Sequence, residues 1–229
     1  MKKIIALLAV ALTLLIPASI SAQLLNGIPI FPTGTPGPSY AFWSPCCTGT
    51  NITVSGAGRV AASNTASVWG TAQTAKSFLI KTYYEVTVTN VGTNTYIGIM
   101  VGTGPSNNPM NNIGRNYTFA WLNTGGIYDS SGLLTSGTPS FTTGDTLMFA
   151  VDPANHQWWI GKNGTWYNSG NPGTGVNPTN TTLNSSFEYS FAPTVSIYGA
   201  AGPVGSVTAN FGQAAFTYTV PTGFQAGLY

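Results

Sequence analysis

The residues with which this chain could do acid–base, nucleophilic or metal chemistry are few. It has five carboxylates (Glu85, Asp129, Asp145, Asp152 and Glu188), one histidine (His156) and two adjacent cysteines, Cys46 and Cys47. Glycoside cleavage needs two carboxylates facing each other across a cleft. Asp145 and Asp152 instead sit at opposite ends of one expected strand, about 20 Å apart at the strand rise, and read as turn residues. Glu85 is expected on a half-exposed strand face, where a lysine can pair with it. His156 falls in a turn, where an imidazole is solvated. The many serines lack a Gly-x-Ser-x-Gly elbow to accompany that single histidine. The turn Asp129-Ser130-Ser131-Gly132 offers calcium one carboxylate, too few for a dedicated site. The expectation is a non-catalytic protein with no metal and no cofactor.

The cysteines add no framework. Adjacent Cα atoms lie about 3.8 Å apart, closer than ordinary disulfide geometry, and there is no third cysteine. Packed thiols and intermolecular bridging both fit the pair. No zinc spacing is present.

Aromatic side chains are plentiful, at 12% of the chain. Trp121, Tyr128, Trp159, Trp166, Tyr167 and Tyr198, with Asp129 beside Tyr128, form the candidate ligand-binding set. Several fall at strand ends next to Asn- and Thr-rich loops, where Trp and Tyr can act as protein hot spots or stack on sugar rings. Trp158 and Trp159 are consecutive in a strand and must point to opposite faces, so one of them leaves the main core side. A second layer of core packing accounts for such residues equally well.

The elements that must position these residues are strands. Gly144 to Tyr167 reads as Thr146–Val151 and Gln157–Lys162 joined by a polar turn over residues 152–156. Asn163-Gly164, a strong short-range turn signal, closes it. Upstream, Asn51–Ser55 and Arg59–Ala62 flank Gly56-Ala57-Gly58 as a hairpin. Ser67–Gln73 and Ser77–Ile80 lead into TYYEVTVT (Thr82–Thr89), which places Tyr84, Val86 and Val88 on one face. Ser44–Thr50 reads as turn-rich, and the segment after Tyr128 as a loop to Thr143. Tyr117–Trp121, Ile127-Tyr128, Phe187–Phe191, Pro193–Tyr198 and Val207–Phe211 complete the strands. With no heptads, no internal repeat and no helix of three turns, the domain is all-β.

The hairpin resembles the signature of SPRY domains. Gly144-Asp145 leads into a buried strand ending Ala150-Val151-Asp152, and an aromatic strand, Trp158-Trp159-Ile160, ends in Lys162-Asn163-Gly164. Tyr83-Tyr84-Glu85-Val86-Thr87-Val88, followed by Ile97-Gly98-Ile99, matches a second SPRY block, and Phe119-Ala120-Trp121 a third. The closing stretch (Val207–Gln213, Phe216-Thr217-Tyr218, Pro221–Phe224) resembles SPRY domains of phage and bacterial proteins. Met148 departs from the pattern, standing where many relatives have glycine. The resemblance spans Tyr40 to Phe224. It implies an antiparallel β-sandwich of the concanavalin A-like jelly-roll class and a non-catalytic module. SPRY relatives mostly bind proteins or peptides, and the fold's lectin cousins bind glycans.

Residues 1–22 read as a signal peptide: basic Lys2-Lys3, the apolar run Ile4–Ile16, then a small-residue segment with cleavage near Ala22. The run is too short to span about 30 Å of hydrocarbon. Residues 23–39 form a Pro/Gly-rich arm or disordered leader, and residues 40–229 the sandwich domain. Without Lys2 and Lys3 the chain is formally neutral, so nucleic acid and membrane insertion are not expected partners. Charged residues make up 5% of the sequence, a balance suited to a secreted, cell-surface or virion-surface protein. Asn-x-Ser/Thr sequons occur at Asn51, Asn116, Asn163, Asn180 and Asn184. The expected role is adhesion or receptor binding, with a protein or glycan partner, through the loops Gly102–Arg115, Asn123–Tyr128 and Asn168–Ser186. The alternatives are a structural subunit of a filament or surface array, self-assembling through the arm, and more remotely a carbohydrate-active enzyme.

Overall fold

The computed structural model describes residues 39–101, 118–129, 132–180, 191–199 and 205–229. The expected signal peptide and almost all of the arm, the loop Gly102–Arg115, Glu188, and the side chains of Cys46 and Cys47 lie outside the described residues. Those described belong to the unit Pro38–Tyr229.

The strands run in chain order as β1 (Trp43–Thr48), β2 (Ile52–Ser55), β3 (Val60–Ser63), β4 (Trp69–Thr74), β5 (Thr82–Asn90), β6 (Asn94–Val101), β7 (Thr118–Leu122) and β8 (Gly126–Asp129). They continue as β9 (Gly132–Ser136), β10 (Thr146–Asp152), β11 (Gln157–Lys162), β12 (Thr165–Trp166), β13 (Phe191–Tyr198), β14 (Ser206–Asn210) and β15 (Gln225–Ala226). One sheet, here sheet A, has the order β1-β4-β13-β6-β7-β8-β9. Sheet B has the order β12-β11-β10-β5-β14-β3-β2, with β15 beside β5. All pairings are antiparallel except β15 with β5. The expected all-β antiparallel sandwich is the architecture found.

Alternation along β5 explains the layering. Tyr84, Val86 and Val88 point inward and join Phe149, Val151, Trp158 and Ile160 of sheet B. Across the gap they meet Ile97, Ile99, Trp121, Val195 and Ile197 of sheet A in one buried cluster. Tyr84 stacks on Phe149 at 4.9 Å. Its hydroxyl donates to the Gly98 carbonyl of the opposite sheet at 3.0 Å, so the phenol is satisfied inside the core, and burial pushes its pKa up. Gly98 cannot be replaced cheaply. A Cβ there would run into the Phe119 carbonyl and lie 2.8 Å from the Ala120 Cα.

The other face of β5 is covered as well. Tyr83, Met148, Ala150, Trp159 and Phe224 form a second buried cluster, against which Trp166, Phe216, Tyr218 and Val220 pack. The last three belong to the C-terminal segment, which recrosses sheet B. Met148 faces Gly161 in the ladder, and its side chain fills the space above that glycine. Glu85 lies beneath this segment at 2% exposure, which corrects the half-exposed, lysine-paired expectation. Its carboxylate accepts the Thr217 amide (2.9 Å), the Tyr218 amide (2.8 Å) and the Tyr83 hydroxyl (2.8 Å). Burial and the bond to this carboxylate both push the Tyr83 pKa up.

The hairpin is built as its sequence indicates. Asn163 (φ 49°) and Gly164 (φ 86°) both take positive φ at the β11–β12 turn, the conformation Asn-Gly tolerates. Asn163 accepts from the Thr146 amide and donates to Asp145. Asp145 also accepts the Thr142 amide at 2.8 Å and faces Lys162 at 3.6 Å. Asp152, buried, holds Lys81 at 3.0 Å and both nitrogens of Asn155. Burial opposes ionisation at both sites, but these partners outweigh it and lower both pKa values.

Three segments differ from expectation. Ser44–Thr48 belongs to strand β1, recruited by pairing with β4 across an irregular register. Gly132–Ser136, expected to be loop, is strand β9 on the edge of sheet A. Ser77–Ile80, expected to be strand, contributes one bridge between Phe78 and Phe191, and Leu79 and Ile80 are exposed.

Two outcomes follow from the buried carboxylates. Glu85→Ala strands two amides and a phenol, and is expected to cost about 3 kcal/mol in urea unfolding. It should also open chymotryptic cleavage at Phe216 and Tyr218, with Glu85→Gln intermediate. Asp145 and Asp152 have depressed folded pKa values, so their stabilisation is complete above about pH 4, the unfolded carboxylate range. It disappears as pH falls through the folded values. The urea midpoint should drop between pH 5 and pH 2, and Asp152→Asn should flatten that drop.

Candidate functional site

The candidate ligand-binding aromatics separate into three environments. Trp121 is wholly buried, its indole donating to the Pro139 carbonyl at 3.0 Å. Trp159 is 1% exposed and donates to the Val176 carbonyl at 2.9 Å in the layer over sheet B. Neither presents a face to solvent. Tyr167 packs half-buried against the main core. Trp166 is half-buried on the same outer side of sheet B, packed against the cluster that contains Trp159.

Tyr128 and Tyr198 come together on the outer face of sheet A, with two residues that sequence reading had not singled out. Trp69 of β4 lies directly opposite Tyr198 of β13, their rings 5.2 Å apart. Trp69 also reaches Tyr96 of β6 at 5.4 Å. Tyr96 in turn meets Tyr128 of β8 edge-on at 5.4 Å. Each of the last two contacts skips a strand. Ser196 sits opposite Tyr96, and Ala120 opposite Tyr128, so small side chains on the intervening strands let the large rings meet above them. Ala120 and Leu122 floor the cluster.

The result is an aromatic stripe across five strands. Trp69, Tyr128 and Tyr198 are half-buried, while Tyr96 in its middle is 9% exposed. Burial first, and the neighbouring Tyr128 second, push the Tyr96 pKa up to about 12, so the phenol in the middle of the stripe stays un-ionised at ordinary pH. Among the described residues, the Trp69 indole and the three phenols donate no hydrogen bond within the chain, so these polar edges are available to a partner. Leu133 of the edge strand β9 lies opposite Tyr128 and is 53% exposed, extending the apolar surface. Asp129 continues β8 at the end of the stripe.

Trp69 and Tyr96 carried a signal. Both are large aromatics one position from a buried inward residue, Gly70 and Ile97, which places them on the outer face of their strands. Of the loops expected to bind, Asn123–Tyr128 runs directly into the stripe. The described part of Asn168–Ser186 is instead bound to β11 through Thr179, whose hydroxyl accepts the Ile160 amide at 3.0 Å. His156 occupies the hairpin turn with φ 54°. Among the described residues no three His, Cys, Asp or Glu side chains gather around a common point, and no helix is long and apolar enough to cross a membrane.

No family model and no curated protein matches the chain. Solved structures do match. The SPRY domain of human HERC1 is 15% identical with a TM-score of 0.56, the alignment covering 76% of this chain and 99% of that one. A second human SPRY domain gives 14% identity and a TM-score of 0.51, covering 72% and 98%. The TRIM65 PSpry domain gives 14% and 0.51, covering 75% and 92%. The chain has the SPRY fold.

Burial separates the tryptophans and tyrosines energetically. Trp121→Ala and Trp159→Ala are each expected to lose about 3–5 kcal/mol of stability. Trp69→Ala and Tyr128→Ala, which leave less of a cavity, should lose about 1 kcal/mol. Urea unfolding of the four variants, read against wild type, checks that order.

Proposed function

We propose that this chain is an exported, non-catalytic recognition module that binds a protein partner through the aromatic stripe on the outer face of sheet A. The observation that carries this reading is the Trp69–Tyr198–Tyr96–Tyr128 row itself. Its rings are held by one another, so little side-chain entropy is lost on binding. Trp and Tyr with apolar bodies and unused polar edges dominate protein hot spots. The SPRY fold, which serves protein interaction in many settings, supports the class of function by analogy. The leader at residues 1–22 and the low charge of the chain support export and a role in adhesion or receptor binding at a cell or virion surface.

The test is a surface-protein array probed with the purified exported chain. Tyr128→Ala and Tyr198→Ala should each weaken a specific interaction at least tenfold. Trp166→Ala, on the opposite sheet, should leave it unchanged. Absence of any protein partner, together with oligomers in solution, would favour a structural subunit. The exposed Leu133 and Leu134 of edge strand β9 are the feature that supports that second reading.

A further inference from the structure

A groove of about 480 Å³ opens on the outer side of sheet B, remote from the aromatic stripe. One lip is the turn Asn171–Thr174, the other the C-terminal crossing Thr219–Thr222, and Trp166 lies between them. Its volume falls in the range of small-ligand sites.

The lips are held in place. The Thr174 and Gly175 amides donate to the Asn171 and Pro172 carbonyls at 3.2 Å each, and Asn171 bridges Val176 in both directions. Pro172 and Pro221, with fixed φ, stand on opposite lips. The C-terminal lip is anchored by the Glu85 carboxylate through the Thr217 and Tyr218 amides. The site is therefore shaped before anything enters it.

Its chemistry is narrow. No charged side chain lines the groove. Trp166 presents a half-buried indole, steadied edge-on by Tyr83 at 6.3 Å, and its N–H has no partner among the described residues. This differs from Trp121 and Trp159, whose indole donors are both satisfied within the chain. The Asn171 amide and the Thr219 and Thr222 hydroxyls are exposed and likewise make no side-chain hydrogen bond among the described residues. An aromatic plane ringed by neutral groups that both donate and accept complements a pyranose, which has an apolar C–H face and an equator of hydroxyls. An anionic ligand would find no cation here. A bulky apolar one would leave the amide and hydroxyls without partners, at a desolvation cost.

We infer that this groove is a binding site for a neutral saccharide, with Trp166 as the stacking platform and Asn171, Thr219 and Thr222 as hydroxyl readers. It does not depend on the role proposed for sheet A.

Titration calorimetry of the full-length protein tests this, with neutral tetrasaccharides of glucose, galactose, mannose and N-acetylglucosamine as probes. Sialylated and sulfated oligosaccharides and a proline-rich peptide complete the panel. The expected result is saturable binding of at least one neutral tetrasaccharide, weakened at least tenfold by Trp166→Ala. Because Trp166 also packs on Tyr83, a second variant works through space alone. Gly173 faces the groove where a Cβ would sit 3.6 Å from the Thr222 Cβ and 3.4 Å from the Asn171 Oδ1. Gly173→Leu should therefore fill the groove and abolish binding with the fold unchanged. Trp69→Ala should leave saccharide binding intact, which separates this site from the stripe. Binding only of anionic sugars, only of the peptide, of none of the probes, or undiminished in Gly173→Leu would overturn the assignment.

Discussion

Strand β5 sets the terms for everything around it. It is a central strand, flanked by β10 on one edge and by β14 and β15 on the other, and it is buried on both faces over Thr82–Val86. A strand so placed cannot leave a polar group unanswered. Tyr84 reaches across the sandwich to a carbonyl of the other sheet, while Glu85 is answered from above by amides of the C-terminal segment. The sandwich core and the outer layer are thus organised by adjacent residues of one strand. The bonds to Glu85 fix where the chain crosses after β14, and with it the position of the groove lip at Thr219–Thr222.

The same logic sorts the aromatics. Rings that fall on inward positions, such as Trp121 and Trp158, are consumed by the core. Rings on the outer face of sheet B are covered by the chain returning over them, except where Trp166 emerges at the edge. On the outer face of sheet A, the described rings cover one another. The surface formed by Trp69, Tyr96, Tyr128 and Tyr198 is apolar in area and polar at its rims. Such a surface discriminates by shape and by the placement of hydroxyls, and ionic strength has little hold on it.

How much of this was legible in the sequence depends on the distance between partners. The hairpin was legible because its determinants are local: consecutive apolar residues, an Asp-led turn and Asn163-Gly164. The inward face of β5 was legible from simple alternation. Glu85 was not, since a lone acid on an alternating strand looks solvent-facing, and its partners Thr217 and Tyr218 lie 132 and 133 residues away. Strands β1 and β9 were missed because Pro45 and Gly132 read as strand breakers, and pairing with a formed neighbour supplied what propensity did not. Of the site, Tyr128 and Tyr198 were found from their types. Alternation could place Trp69 and Tyr96 on the outer face, but their meeting depends on the sheet order, which sets Ser196 and Ala120 between the larger rings.

The return of the chain over Glu85 also governs when the fold can be finished. β5 is made early, yet its neighbours β14 and β15 and the amides that hydrogen-bond its buried carboxylate come from the far end of the sequence. Until those residues arrive, one hydrogen-bonding edge of the central strand stands open beside a face rich in aromatic groups. Such topologies acquire their native contacts late and slowly, and an open edge invites pairing between molecules in the meantime. The period between synthesis of β5 and the docking of the last segment is accordingly the chain's most vulnerable, and the length of that wait was fixed when its two halves were placed so far apart.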